Sequence, residues 1–175
     1  GLGESEKARE VLQAAAESLS QIDDEEILAQ PGLLRVAALI SLQLGVADRA
    51  DFYLDRYIEL VPQEVRIRMI SARLKLQLGD AKGAARVLEP PYKSGVQDAA
   101  LLSLMGEVYL ATEQFDEAQA ALEKAALLQP DLPQLNTRLA LSKLGEGESE
   151  GVWENLSAAH SKSEGASATA GIVMA

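Results

Sequence analysis

Four segments of this chain open at Pro31, Val65, Ala99 and Pro133, each 34 residues after the last, and each repeats the others' pattern. Their eighth residues are Ala38, Ala72, Gly106 and Ala140, and their twentieth are Ala50, Ala84, Ala118 and Val152. Leucine fills the twelfth position in all four (Leu42, Leu76, Leu110, Leu144) and the twenty-fourth (Leu54, Leu88, Leu122, Leu156). A fixed period of this length, built from two short amphipathic stretches, predicts an array of helix pairs. Small residues recur where two helices cross closely, and leucines recur where an apolar seam must be filled. Each unit of such an array buries its apolar face only against its neighbours, so there is no single central core. The pattern points function toward binding and away from chemistry.

Within that frame the chain resembles the tetratricopeptide repeat (TPR) family, which has small residues at the eighth and twentieth positions and a proline near the end. The segment from Ala99 fits best, with Leu102, Gly106, Tyr109, Phe115, Ala118, Ala125 and Pro130. Pro31–Pro62 follows with Leu34, Ala38, Gly45, Ala50 and Pro62. From Val65 the fit weakens: Arg68 and Lys75 stand where the family usually places large apolar residues, as do Asn136 and Lys143 in the last segment. The resemblance implies an all-α, right-handed solenoid of antiparallel helix pairs, with four repeats over residues 31–160.

The flanks read as pieces of the same design. ESEKAREVLQAAAESL predicts a helix with Val11, Leu12, Ala15 and Leu19 on one face, and Gly3, Ala8 and Leu12 fit the second helix of a repeat. From Ala8 to Ala50 is 42 residues, eight more than the period, so 1–30 is read as a partial repeat plus a short extra helix or irregular connection at 24–30. Residues 161–175 are either a flexible tail or the start of a further repeat, and the chain reads as a piece of something longer. The expected helices are about 32–44, 48–60, 64–78, 81–89, 98–112, 115–128, 133–145 and 149–160. Gly45 and Gly79 should end first helices, Asp48 and Asp80 should cap their partners, and Pro90-Pro91 should stop helix 81–89 early.

Chemistry has little to stand on. The single histidine, His160, has no second histidine for a metal pair, and zero cysteines exclude disulfides and thiolate sites. The carboxylate runs Asp23–Glu26 and Glu146–Glu150 lack the ligand spacing of a calcium loop. Gly145-Glu146-Gly147 does not follow a strand, so it is no phosphate loop, and Trp153 reads as packing. No catalytic residue, cofactor or metal is expected. A net charge of −11 argues against nucleic acid, and no stretch is apolar enough to span a bilayer.

The charge distribution is more informative. From Arg49 to Lys93 nine basic residues stand against six acidic ones, giving +3 inside an acidic chain. Arg66, Met69, Arg73 and Leu76 share one helix face, and Arg35 holds an equivalent position one segment earlier. The family resemblance places these positions on a concave groove, joined by Ser103 and Glu107. Two readings stand side by side. Either the groove receives an acidic or carboxylate-bearing protein or peptide segment, or the arginines are a solvated face with local ion pairs. The corresponding functions are a protein–protein interaction scaffold and a structural spacer in a long array, and exposed repeat ends add a route to self-association. Arg35, Leu39, Met69, Arg73, Ser103 and Glu107 do not match the Lys/Asn set of chaperone-tail clamps. The stretches QLGDAKGAARVLEP and ATEQFDEAQAALEKA also resemble bacterial TPR lipoproteins of the exopolysaccharide and PEP-CTERM systems, which would imply the periplasm or cell envelope. Without that narrower resemblance a cytoplasmic location is the expectation.

Overall fold

The structure, a computed structural model, describes residues 2–131 and 134–145. Among the described residues it contains helices and no strand. In chain order these are α1 (Leu2–Ser20), α2 (Asp24–Ala29), α3 (Pro31–Gln43), α4 (Ala47–Leu60), α5 (Val65–Gln77), α6 (Ala81–Lys93), α7 (Ala99–Ala111), α8 (Phe115–Leu128) and α9 (Leu135–Gly145). The chain divides into two compact units, Gly1–Leu78 and Gly79–Ala175. The division falls inside the segment that opens at Val65, where the fit to the repeat pattern weakens.

In the first unit α3 packs against α1, α2 and α4, and α4 packs against α5. The small residues of the repeat frame sit where expected: Ala38 and Ala50 are fully buried beside Leu34 and Leu54. Each such leucine contributes roughly 1.5–3 kcal/mol by leaving water. The extra residues before Pro31 form α2, capped by Asp23, whose carboxylate accepts from the Glu25 amide, and Ile27 joins the core. In the second unit α7 packs against α6, α8 and α9, around Leu102, Leu122, Ala125, Leu135 and Leu139.

Helix ends follow from backbone chemistry. After α3, Gly45 adopts φ 73°, its amide bonds the Leu42 carbonyl and the Val46 amide bonds that of Ser41. This pair of bonds satisfies two orphan carbonyls and needs a left-handed residue between them. Gly79 has the same conformation. After α7 the position is held by Glu113 at φ 59°, with the Glu113 amide to Leu110 and the Gln114 amide to Tyr109. A side chain in this region is sterically disfavoured. Glu113→Gly is therefore expected to stabilise the protein by about 0.5–1 kcal/mol, read as a higher urea midpoint at unchanged slope.

Three local expectations are corrected. Helix α6 does not stop at residue 89 but runs through Pro90 and Pro91 to Lys93. Each proline removes one backbone donor but holds a helical φ, and with both in the last turn the loss is confined to the end of the helix. Pro91 is buried, and the end is closed by Gly95 at φ 78°, with Gly95 and Val96 amides bonding the Tyr92 and Pro91 carbonyls. Asp48 lies within the first turn of α4 and caps nothing, because the cap residue is Val46; Asp80 does cap α6, accepting from the Gly83 amide. Val11 is 68% exposed, whereas Leu12, Ala15 and Leu19 are half-buried. The expected helix at 149–160, the tail, Trp153 and His160 lie outside the described residues.

Candidate functional site

Helix α5 positions four of the candidate residues. Arg66, Met69, Arg73 and Leu76 fall three or four residues apart and share a face of the helix. Met69 is buried, Leu76 is half-buried, and Arg66 and Arg73 are exposed. Arg35, on α3, is exposed as well. Among the described residues none of these three arginines forms an ion pair with a carboxylate of its own chain. The local ion pairs that the solvated-face reading expects, to neighbours such as Glu64 and Asp80, are not formed by these arginines.

Glu64 is engaged elsewhere. Its carboxylate accepts a short hydrogen bond from the Tyr57 hydroxyl, which draws the start of α5 onto α4. That bond, then burial, raises the Tyr57 phenol above its ordinary value, while the nearby charge of Arg35 pulls it down.

The two misfits of the segment that opens at Val65 are buried charges with partners. Arg68 occupies the position of Leu34 and Leu102, and its Nε donates to the Pro62 carbonyl at 2.7 Å. Burial lowers its pKa. Lys75 reaches across to α4, where its Nζ lies 2.7 Å from Asp51 and 2.9 Å from Asp55. These contacts pin α5 to α4 and fix which face of α5 stays outward.

In the second unit Ser103 is buried and Glu107 half-buried on α7, and both are taken by Arg138 of α9. Its Nη1 donates to the Ser103 hydroxyl at 2.9 Å, and its Nη2 pairs with the Glu107 carboxylate. The sequence reading missed Arg138. Its signal was available: it stands one position past the fifth residue of its repeat, where a long side chain can reach back to the fifth and ninth positions of the repeat before. The structure places Arg35, Arg66, Met69, Arg73 and Leu76 in one unit and Ser103 and Glu107 in the other.

Among the described residues no group of three His, Cys, Asp or Glu is placed to hold a metal ion. No described helix is long and apolar enough to cross a membrane.

Residues 99–132 match the family model for the tetratricopeptide repeat. No curated protein matches the sequence. Among solved structures the chain is similar to MamA AMB-1, with 19% identity and a TM-score of 0.77 over 92% of this chain and 95% of that one. It is similar also to MamA 41-end from Desulfovibrio magneticus RS-1, with 20% identity and a TM-score of 0.71 over 91% and 96%. MamA MSR-1 gives 18% identity and a TM-score of 0.73 over 93% and 95%. At these identities the likeness shows the fold, which is the all-α, TPR-like solenoid of antiparallel helix pairs that the 34-residue period predicts.

Proposed function

We propose that this chain is a non-catalytic protein–protein interaction module that holds a peptide or protein segment against the first-helix faces of its repeats. The observation that carries this reading is the set of exposed arginines without internal carboxylate partners: Arg66 and Arg73, on one face of α5 with apolar Met69 and Leu76, and Arg35 on α3. Guanidinium groups in such a setting take carboxylates through paired hydrogen bonds, so the segment is acidic. The TPR match at 99–132 supports a binding role. Ser103 and Glu107 enter the proposal as the place where Arg138 holds α9 against α7, a contact an acidic partner would compete for.

The test is fluorescence anisotropy with a labelled peptide rich in Asp and Glu and carrying leucine anchors. The Arg66→Glu/Arg73→Glu variant should bind at least tenfold more weakly at low salt, with unchanged helical content by circular dichroism. Wild-type affinity should fall as salt rises, because the patch is exposed. Equal affinity in both proteins at low and high salt would leave the arginines a solvated face. It would favour the alternative, a structural spacer, to which the closed Arg138–Glu107 pair already lends support.

A place at the cell envelope, in the exopolysaccharide or PEP-CTERM group, rests on the style of the repeat sequence, since the solved structures named above carry no such description. Self-association through repeat ends is likewise a proposal, which sedimentation over a range of concentrations would decide.

A further inference from the structure

The eight residues inserted before the first full repeat do more than connect. Helix α2, six residues long, faces α4 across an open pocket of about 420 Å³ lined by Asp24, Leu28, Asp48, Arg49, Phe52 and Tyr53. A pocket of this size accepts a large side chain together with part of the backbone that carries it. Its two walls are tied together, because Arg56 of α4 donates from Nε to the Leu28 carbonyl at 3.3 Å and also pairs with Glu59.

The lining has a definite chemistry. Phe52 is 57% exposed and leans on Tyr53 at a ring separation of 5.6 Å. The one cation of the lining, Arg49, is exposed but held against Tyr53: its guanidinium lies 5.9 Å from the Tyr53 ring centre, and its Nη2 donates to the Tyr53 hydroxyl at 3.3 Å. Among the described residues the side chains of Asp24 and Asp48 have no hydrogen-bonded partner, and the charge of Asp24 acts on Arg49. Within the lining Asp24 and Asp48 supply two negative charges against the one positive charge of Arg49, a local balance of −1. The apolar floor and acidic rim are the opposite in sign to the arginine face of α5.

We propose that the α2–α4 pocket is a second docking site, which takes a peptide segment placing an aromatic or leucine side chain against Leu28 and Phe52 and a neighbouring lysine or arginine beside Asp24 and Asp48. The basic group also finds the exposed face of Phe52, to which cations are drawn. Charge complementarity sets the sign of the partner, and the apolar floor sets its anchor.

The test is selection of a random peptide library on the whole protein, followed by anisotropy with the most enriched peptide. The expected consensus joins an aromatic residue or leucine to a lysine or arginine within one or two positions. Phe52→Ala should weaken that peptide at least tenfold and Asp24→Asn/Asp48→Asn several-fold, while Arg66→Glu/Arg73→Glu leaves it unchanged. All of these side chains are exposed, and circular dichroism confirms that each variant folds. The proposal is overturned by an acidic consensus, by no enrichment, or by affinity indifferent to the pocket variants. Self-association that Phe52→Ala abolishes would overturn it too, by assigning the pocket to a second copy. Because the arginine variant reports on the other face, failure here and failure of the acidic-peptide reading are separable.

Discussion

Replacing Gly106 by leucine is expected to destabilise the protein by about 3 kcal/mol or more, at the upper end of what overpacking costs. A Cβ added at Gly106 would stand 2.6 Å from Leu122 Cγ and 3.4 Å from the Ala118 carbonyl oxygen. Leu122 is fully buried and cannot swing aside, and Ala118, also fully buried, presents backbone that cannot move out of the way. The milder Gly106→Ala should cost about 1 kcal/mol, since its steric penalty is offset by roughly 1 kcal/mol of better helix propensity. Urea unfolding of a double-mutant cycle with Leu122→Ala checks the mechanism. Leu122→Ala alone leaves a cavity and costs about 2–5 kcal/mol. Combined with a side chain at 106 the cost should be well below the sum, because one change supplies the volume that the other removes. Simple additivity would mean that the crossing is not where Gly106 acts.

That crossing was legible because it repeats. The eighth and twentieth positions of the frame put Ala38, Ala50, Ala72, Ala84 and Ala118 at fully buried sites, each specified by residue size alone. The twelfth-position leucines are equally regular but less telling: Leu42, Leu76 and Leu110 are only half-buried, and Leu144 is 51% exposed. A repeated leucine marks an apolar face without saying how far a neighbour covers it. Pro90-Pro91 misled because the proline rule concerns helix interiors, and the sequence does not show that Gly95 lies close enough to close the end. Long-range partners were harder still. Lys75 stood out as a misfit, yet its partners lie 24 and 20 residues earlier, on the facing helix. Arg138 reaches Ser103 and Glu107 across about one full repeat, a separation that matches the 34-residue period. The α2–α4 pocket belongs to the insertion, where the frame is silent.

Removing both carboxylates that hold Lys75, as Asp51→Ala/Asp55→Ala, is expected to cost about 3 kcal/mol, the range for stranding a buried charge. The Lys75 side chain is only 7% exposed, whereas those of Asp51 and Asp55 are 28% and 49% exposed. The penalty is therefore one-sided: freed carboxylates rehydrate, and a freed ammonium does not. Either single substitution should be much milder, since one carboxylate stays within reach. Lys75→Met should fall within about 1 kcal/mol of wild type, because a buried ion pair gives little net stability over an apolar side chain of similar size. The pH dependence separates this account from simple packing loss. Burial pushes the Lys75 ammonium down, but the hydrogen bonds and charges of Asp51 and Asp55 outweigh it and hold its pKa above the ordinary 10.5. A folded-state value above the unfolded one stabilises the protein below the ordinary lysine pKa, and that stability is lost as pH climbs through the folded value. In the double alanine variant only burial remains, so the folded value drops below the unfolded one and stability from this group rises with pH instead. Denaturant midpoints measured from neutral to alkaline pH should therefore diverge at neutral pH and converge as lysine deprotonates. A gap that stays constant across that range would mean that Asp51 and Asp55 stabilise α4 through packing and not through the charge of Lys75.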